Sequence, residues 1–195
     1  LEISKTKSVR FPKLMTCLNI GCPLGMGVWE GVPLRDLVWM TKPKENLRRV
    51  HYHGFHNNDP AQLFRSSLPV GRVLEDPDDL PPVIVCHKLN GEWLTPERGG
   101  PARMVVPEHY GFKSVKWLTR IELITGEYDG FYQAVDYRLK EPGEEGPGRE
   151  LTRMPVSSLI VAADGASVRG VAWGGDRGVA GVDVRIDGGD WQPAR

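Results

Sequence analysis

The sequence predicts a mixed α+β fold, strand-rich with a few short helices over 1–148, followed over 149–195 by the start of an antiparallel β-sandwich. Three observations predict it. Short apolar runs enriched in β-branched and aromatic residues recur along the chain, at strand rather than helix length. The 23 glycines and 16 prolines fall between those runs as punctuation. After EPGEEGPGR at 141–149, a linker or long surface loop with nothing to bury, the texture changes to short strands separated by turn signals.

Taken in order, KLMTCLNI is apolar and strand-like, whereas VPLRDLVWM spaces Val32, Leu34, Leu37, Val38 and Met40 as a short helix that Lys42 and Pro43 end. VIVCHKL, ARMVVP, SVKWLTRIELI and FYQAVDYRL have strand length and composition. Beyond 149, VSSLIVA and SVRGVAW flank the turn signal Asp164-Gly165, and Val182, Val184 and Ile186 alternate against charge before Gly188-Gly189. That stretch supplies about three or four strands, fewer than the roughly seven that close a sandwich, so the second domain is expected to be truncated. The polar start and the end just after a hairpin signal fit a piece of a longer protein.

Lys plus Arg and Asp plus Glu number 25 each. No global basic field draws the chain to nucleic acid or an anionic membrane, and any anion site is local. No apolar run reaches the eighteen or so residues of a membrane span. The opening lacks the apolar core of a signal peptide, but in a piece of a longer protein this says nothing about compartment, and the bacterial periplasm and the cytoplasm both stay open. Three cysteines, Cys17, Cys22 and Cys86, make no disulfide framework and no paired zinc-ligand pattern.

Four constellations could carry chemistry. In TCLNIGCP, Cys17 ends an apolar strand and faces a Gly/Pro-rich loop, where a thiolate is an available soft ligand for a transition metal; a small buried hydrophobe is the commoner fate of such a cysteine. From Glu97 to Leu118, Arg98, Arg103, Lys113 and Lys116 surround Gly99-Gly100 and Gly111, a pattern that suits either phosphate binding or a solvated basic strand edge. In VHYHGFHNND, His51 and His53 share one side of an extended segment and His56 follows a glycine, a zinc or copper possibility without an ordered carboxylate neighbour apart from Asp59. Trp29 and the pair Asp136-Tyr137 are aromatic and acidic positions that mean little alone.

In this order the segments resemble the sulfite-oxidase family of molybdopterin-dependent oxidoreductases over nearly the whole chain. The family's T-L-Q-C-A-G-N run and its W-x-G-V-x-L-R-D-x-L segment stand here as MTCLN and WEGVPLRDLV. NGEWLTPERGGPARMVVP matches the N-G-x-x-L-P-x-x-x-G-x-P-x-R-x-x-V-P run, and SVKWLTRIE matches its block without change. The resemblance implies that Cys17 ligates molybdenum beside the dithiolene sulfurs of the pterin cofactor. It implies that Arg103, Ser114, Val115 and Lys116 hold the pterin and its phosphate, with Arg98 where many members have a histidine and His56 near a polar contact that is usually Asp. Trp29 and Tyr137 match residues lining the oxyanion pocket, and Arg177 in AWGGDRG matches an arginine sent to that pocket by an immunoglobulin-like dimerisation domain.

The implied activity is two-electron oxygen-atom transfer on sulfite or a related sulfur or nitrogen oxyanion or oxide. Electrons would pass to a separate acceptor such as a cytochrome, since the chain has no Cys-x-x-Cys-His haem site, and a homodimer is expected of the full-length protein. Two departures bear on substrate and activity. Cys22 stands where the family places a sulfite-binding arginine, and the upstream F-x-x-R-N-H segment does not occur. Two alternatives follow: a catalytically silent binding or assembly module, and a zinc-dependent hydrolase using His51, His53 and His56.

Overall fold

The computed structural model describes residues 6–20, 23–55, 64–127, 130, 133, 137–151 and 153–195. Its first structural unit is an antiparallel sheet. Strand β1 (Val9–Thr16) alternates so that Phe11, Lys13 and Met15 point inward, and it pairs with the long strand β2 (Pro23–Pro33), with Phe11 opposite Trp29. On the other edge of β2 lies β5 (Ile84–Leu89), in a register that sets Gly31 against Cys86. A Cβ on Gly31 would fall 2.3 Å from the Val85 carbonyl oxygen, so only glycine permits this approach at the β2 bulge. β5 then turns through Asn90-Gly91, both at positive φ, into β6 (Glu92–Trp93) and also carries β7 (Arg103–Val105).

A second sheet has the order β4-β3-β8, with β3 (Arg49–Gly54) between β4 (Phe64–Pro69) and β8 (Leu118–Ile124). The alternation of β3 buries Val50, Tyr52 and Gly54 and leaves His51 and His53 on the opposite face. Two short helices, α1 (Leu34–Met40) and α2 (Val70–Leu74), add Leu34, Val38 and Val73 to the core that these strands build with Leu68, Val85, Met104 and Val106. A second cluster, of Phe11, Met15, Trp29, Ile84, Cys86, Leu94 and Val105, uses the alternate residues of β5 and β7, so this sheet is buried on both faces. Each fully buried aliphatic side chain contributes about 1.5–3 kcal/mol.

The C-terminal part is built from hairpins: β9 (Arg138–Leu139) with β10 (Arg149–Glu150), β11 (Val156–Ala163) with β12 (Val168–Gly174), and β13 (Asp183–Val184) with β14 (Gln192–Pro193). The proline- and glycine-rich stretch at 141–149 forms the largely exposed loop of the first hairpin and enters β10 at Arg149. At the β11–β12 turn, Asp164 Oδ1 accepts from the backbone N–H groups of Ala166 and Ser167, the chemistry for which Asp-Gly is a turn signal. Val156, Ile160 and Val161 of this hairpin are exposed.

Some stretches are strand over less of their length than the sequence predicts, among them KLMTCLNI, whose strand ends at Thr16, FYQAVDYRL, strand among the described residues only at Arg138–Leu139, and SVKWLTRIELI. SVKWLTRIELI is strand only from Leu118, because Trp117 has φ 49 and Ser114 to Trp117 loop instead. That loop is held by Trp117 Nε1 donating to the Pro96 carbonyl at 2.7 Å and by the Trp117 backbone N–H donating to Gly99. Among the described residues no helix is long and apolar enough to cross a membrane.

Candidate functional site

One cavity of about 630 Å³ lies where the end of β1, the β2 strand, the 96–103 segment and the 111–117 loop converge. Cys17 is the first residue beyond β1 and lines it, half-exposed and with a free thiol. The 111–117 loop approaches this strand end closely, since a Cβ on Gly111 would sit 2.9 Å from the Thr16 carbonyl oxygen. The Cys17 carbonyl accepts from Ile20 N–H at 3.4 Å and turns the chain after the thiol.

Trp29 is placed by β2 and fixed by its indole N–H, which donates to the Lys13 carbonyl at 3.3 Å. Its ring lies 5.0 Å from the Arg103 guanidinium, a cation–π contact between two nearly buried groups. Arg103 projects from β7 and donates to the carbonyls of Arg98 (2.8 Å) and Ser114 (2.7 Å). Its Nε is buried without a hydrogen-bond partner, and among the described residues no carboxylate pairs with it. Burial pulls its pKa down to about 10, with Arg98 acting in the same direction.

Arg98 stands at the end of a 3-10 turn, Pro96–Arg98, and Gly99 follows with φ 93, packed so tightly that a Cβ would meet the Lys116 side chain at 2.7 Å. Lys116 Nζ donates to the Glu97 carbonyl at 3.1 Å and lies 4.3 Å from the Trp117 ring centre. Its pKa is lowered, first by burial and then by Arg103 and Arg98. Ser114 Oγ accepts from Val106 N–H at 3.2 Å while its carbonyl takes the Arg103 bond. Val115 is the exception among the expected cofactor residues. Its side chain belongs to the main core and its carbonyl accepts from Met104 N–H at 2.9 Å, so it braces the loop rather than lining the cavity.

Tyr137 also lines the cavity, with its ring 4.5 Å from that of Phe112. Arg177 does not: its guanidinium is held by Asp79 (2.7 and 3.0 Å) and by Glu108 (2.7 Å). His53 Nε2 pairs with Glu122 Oε2 at 2.7 Å, and His51 lies beside it on the same strand face. His56, Asp59, Cys22 and Asp136 lie outside the described residues. Among the described residues no group of three His, Cys, Asp or Glu side chains is placed to hold a metal ion. Sequence reasoning missed Met26, Phe55, Phe112 and Trp117 in the wall. Phe112 and Trp117 flank the cation block, which was the available signal.

Among the described residues the cavity therefore joins a free thiol to three cationic side chains, against one lining carboxylate, that of exposed Glu97. It suits a ligand with an anionic group and a soft metal centre, as in a molybdopterin-binding domain of an oxidoreductase. The family model described as "Oxidoreductase molybdopterin binding domain" matches residues 6–132. The chain is 32% identical to a sulfite oxidase of Gallus gallus over 86% of its length and 40% of that protein. It is 30% identical to a sulfite oxidase of Arabidopsis thaliana over 88% of its length and 49% of that protein. Among solved structures it resembles the sulfane dehydrogenase SoxCD from Paracoccus pantotrophus, with a TM-score of 0.82 at 23% identity, over 100% of this chain and 54% of that one; this is a likeness of fold.

The chain belongs to the sulfite-oxidase family of molybdopterin-dependent oxidoreductases, and the cofactor this implies is molybdenum-molybdopterin. It spans about two-fifths of the length of the first curated relatives it matches. The residues present fit such a cofactor. The orphaned Nε of Arg103 is a buried donor without an acceptor among the described residues, and the free thiol of Cys17 is of the kind that would serve molybdenum as a soft ligand.

Proposed function

We propose that this chain carries the molybdenum site of an enzyme that moves an oxygen atom to or from sulfite or a related small sulfur or nitrogen oxyanion or oxide. The supporting observation is the meeting of the Cys17 thiol, the cations Arg98, Arg103 and Lys116 and the phenol of Tyr137 in one cavity. When bound, the cofactor supplies the two-electron redox chemistry of oxygen-atom transfer. Oxidation of sulfite to sulfate takes its oxygen from water and releases two electrons and two protons.

In this reading Cys17 anchors the metal, and Arg103, Lys116 and Ser114 hold the pterin and its phosphate, with Val115 supporting them from the core. Arg98, exposed at the cavity, serves the cofactor or the oxyanion. Tyr137 donates a hydrogen bond to the oxyanion, and Trp29 walls the pocket while stacking on Arg103. His56 keeps the role of a polar cofactor contact. Arg177, now bound by Asp79 and Glu108, would reach an oxyanion only on release of those pairs. Residues 1–148 form the cofactor-binding domain and 149–195 the start of an immunoglobulin-like dimerisation domain, whose exposed valines on β11 and β12 are what an unfinished sandwich would present. A homodimer and a separate electron acceptor such as a cytochrome complete the reading.

The test is metal analysis, pterin fluorescence and sulfite-dependent reduction of an artificial acceptor, on wild type and Cys17→Ser. We expect molybdenum with pterin in the wild type, and turnover reduced at least about a thousandfold in the variant. Zinc without pterin would support the hydrolase alternative; cofactor without turnover would support a silent binding module. Unchanged turnover in Cys17→Ser would defeat the assignment of the metal ligand.

A further inference from the structure

Lys113 is almost completely buried, and the roles assigned above leave it unused. It closes the 3-10 turn Gly111–Lys113, whose middle residue Phe112 packs against Tyr137. An ammonium offers three donors, and here each has an acceptor. Nζ donates to the Ser67 carbonyl at 2.9 Å, to Glu150 Oε1 at 3.0 Å, and, in a short contact, to Gln133 Oε1.

The two side-chain acceptors flank Tyr137 in the chain. Gln133 lies one short step before it and is itself tied to β4, its Nε2 donating to Ser67 Oγ at 3.2 Å and its Oε1 accepting from Ser67 N–H at 3.3 Å. Glu150 lies after it, paired across the β9–β10 ladder with Arg138, the residue next to Tyr137. Leu151, next to Glu150, donates its N–H to the Tyr137 carbonyl at 2.9 Å. One ammonium thus ties down the chain on both sides of the tyrosine while its neighbour Phe112 seats the ring.

We infer that Lys113 is a positioning residue, a clamp that sets Tyr137 in the cavity. The inference rests on the reading of Tyr137 as the hydrogen-bond donor to the oxyanion, and it adds the group that holds that donor in place. Burial makes a lysine costly here, pulling its pKa down to about 8 against the raising influence of Glu150. An apolar side chain would fill the space without that cost but would hold neither flank.

The experiment compares the wild-type holoenzyme with Lys113→Met, with Glu150→Gln, with Tyr137→Phe and with the double variant Lys113→Met/Tyr137→Phe. It reads amide hydrogen exchange and kcat/KM for sulfite. In Lys113→Met the amide of Leu151 should exchange at least about tenfold faster, while that of Met104, bonded to Val115 in the core, keeps its rate. Turnover efficiency should fall by about two orders of magnitude, and in the Tyr137→Phe background the further loss should be under about threefold, because both changes remove the same function. Glu150→Gln, at a partly exposed site, should move Leu151 exchange in the same direction.

Leu151 exchange unchanged in folded Lys113→Met would overturn the clamp. So would a loss in the double variant equal to the product of the two single losses. Should Lys113→Met not fold, Glu150→Gln decides alone, and unaltered Leu151 exchange there overturns it. Absence of sulfite turnover in the wild type would defeat the proposed function instead, and the exchange measurement would still judge the clamp.

Discussion

Two thiols show how single residues are assigned their chemistry by surroundings. Cys86 is sealed in the second core cluster, and burial pushes its pKa up to about 11, which makes it a small hydrophobe. Cys17 sits past the end of its strand on a cavity wall, available as a ligand. The sequence made Cys17 the better candidate through the loop that follows it, but burial of Cys86 follows from strand alternation in a sheet covered on both faces, which only the pairing of β5 with β2 and β7 establishes. His109 gives a residue-scale test. Its Nδ1 donates to the Pro107 carbonyl at 2.9 Å, and burial pulls its pKa from 6.5 to about 3. The unfolded chain therefore binds a proton that the folded one refuses between those values, so its contribution to stability is full above pH 6.5 and is lost as pH falls toward 3. Denaturant unfolding at several pH values should show His109→Gln flattening this acid slope by up to about 1.4 kcal/mol per pH unit; an unaltered slope would count against a neutral buried imidazole.

At the scale of elements, one buried carboxylate ties the β12 hairpin to the first sheet. Asp176, just beyond β12, pairs with Lys13 Nζ at 3.0 Å, accepts from Leu14 N–H at 3.2 Å and, in a short contact, from Glu108 N–H. Both side chains are almost fully buried, so neutralising one strands the other charge. Asp176→Asn should therefore lower unfolding stability by about 3–5 kcal/mol, measured by urea titration, and a loss below about 1 kcal/mol would refute a structural ion pair. No period or spacing could have disclosed it: β1 looks amphipathic except for an inward Lys13 whose partner lies far along the chain. The short helix α1 was legible because Leu34 and Val38 recur one turn apart and both are buried. The 114–117 segment was not, since its strand-like composition is overridden by the tertiary bonds that put Trp117 in the left-handed region.

At the scale of the molecule, equal numbers of acidic and basic residues conceal a division of labour. Arg177, Lys13 and Arg153 are matched by Glu108, Asp79 and Asp176, whereas Arg98, Arg103 and Lys116 gather at a cavity with little acid to balance them. That local excess was visible as a cation cluster between Glu97 and Leu118, and Cys17, Trp29 and Tyr137, taken from distant parts of the sequence, do reach the same cavity. The engagement of Arg177 with two carboxylates was not visible, because it depends on how the hairpin following residue 155 meets the loop at 108.

If the Cys17 sulfur binds the molybdenum of a pterin cofactor in this cavity, losing that sulfur changes the ligand shell of the metal itself. Molybdenum K-edge X-ray absorption on the cofactor-loaded wild type and Cys17→Ser tests it most directly. Ligation by Cys17 requires one sulfur fewer around the metal in the variant; an equal sulfur count in the two proteins would rule it out.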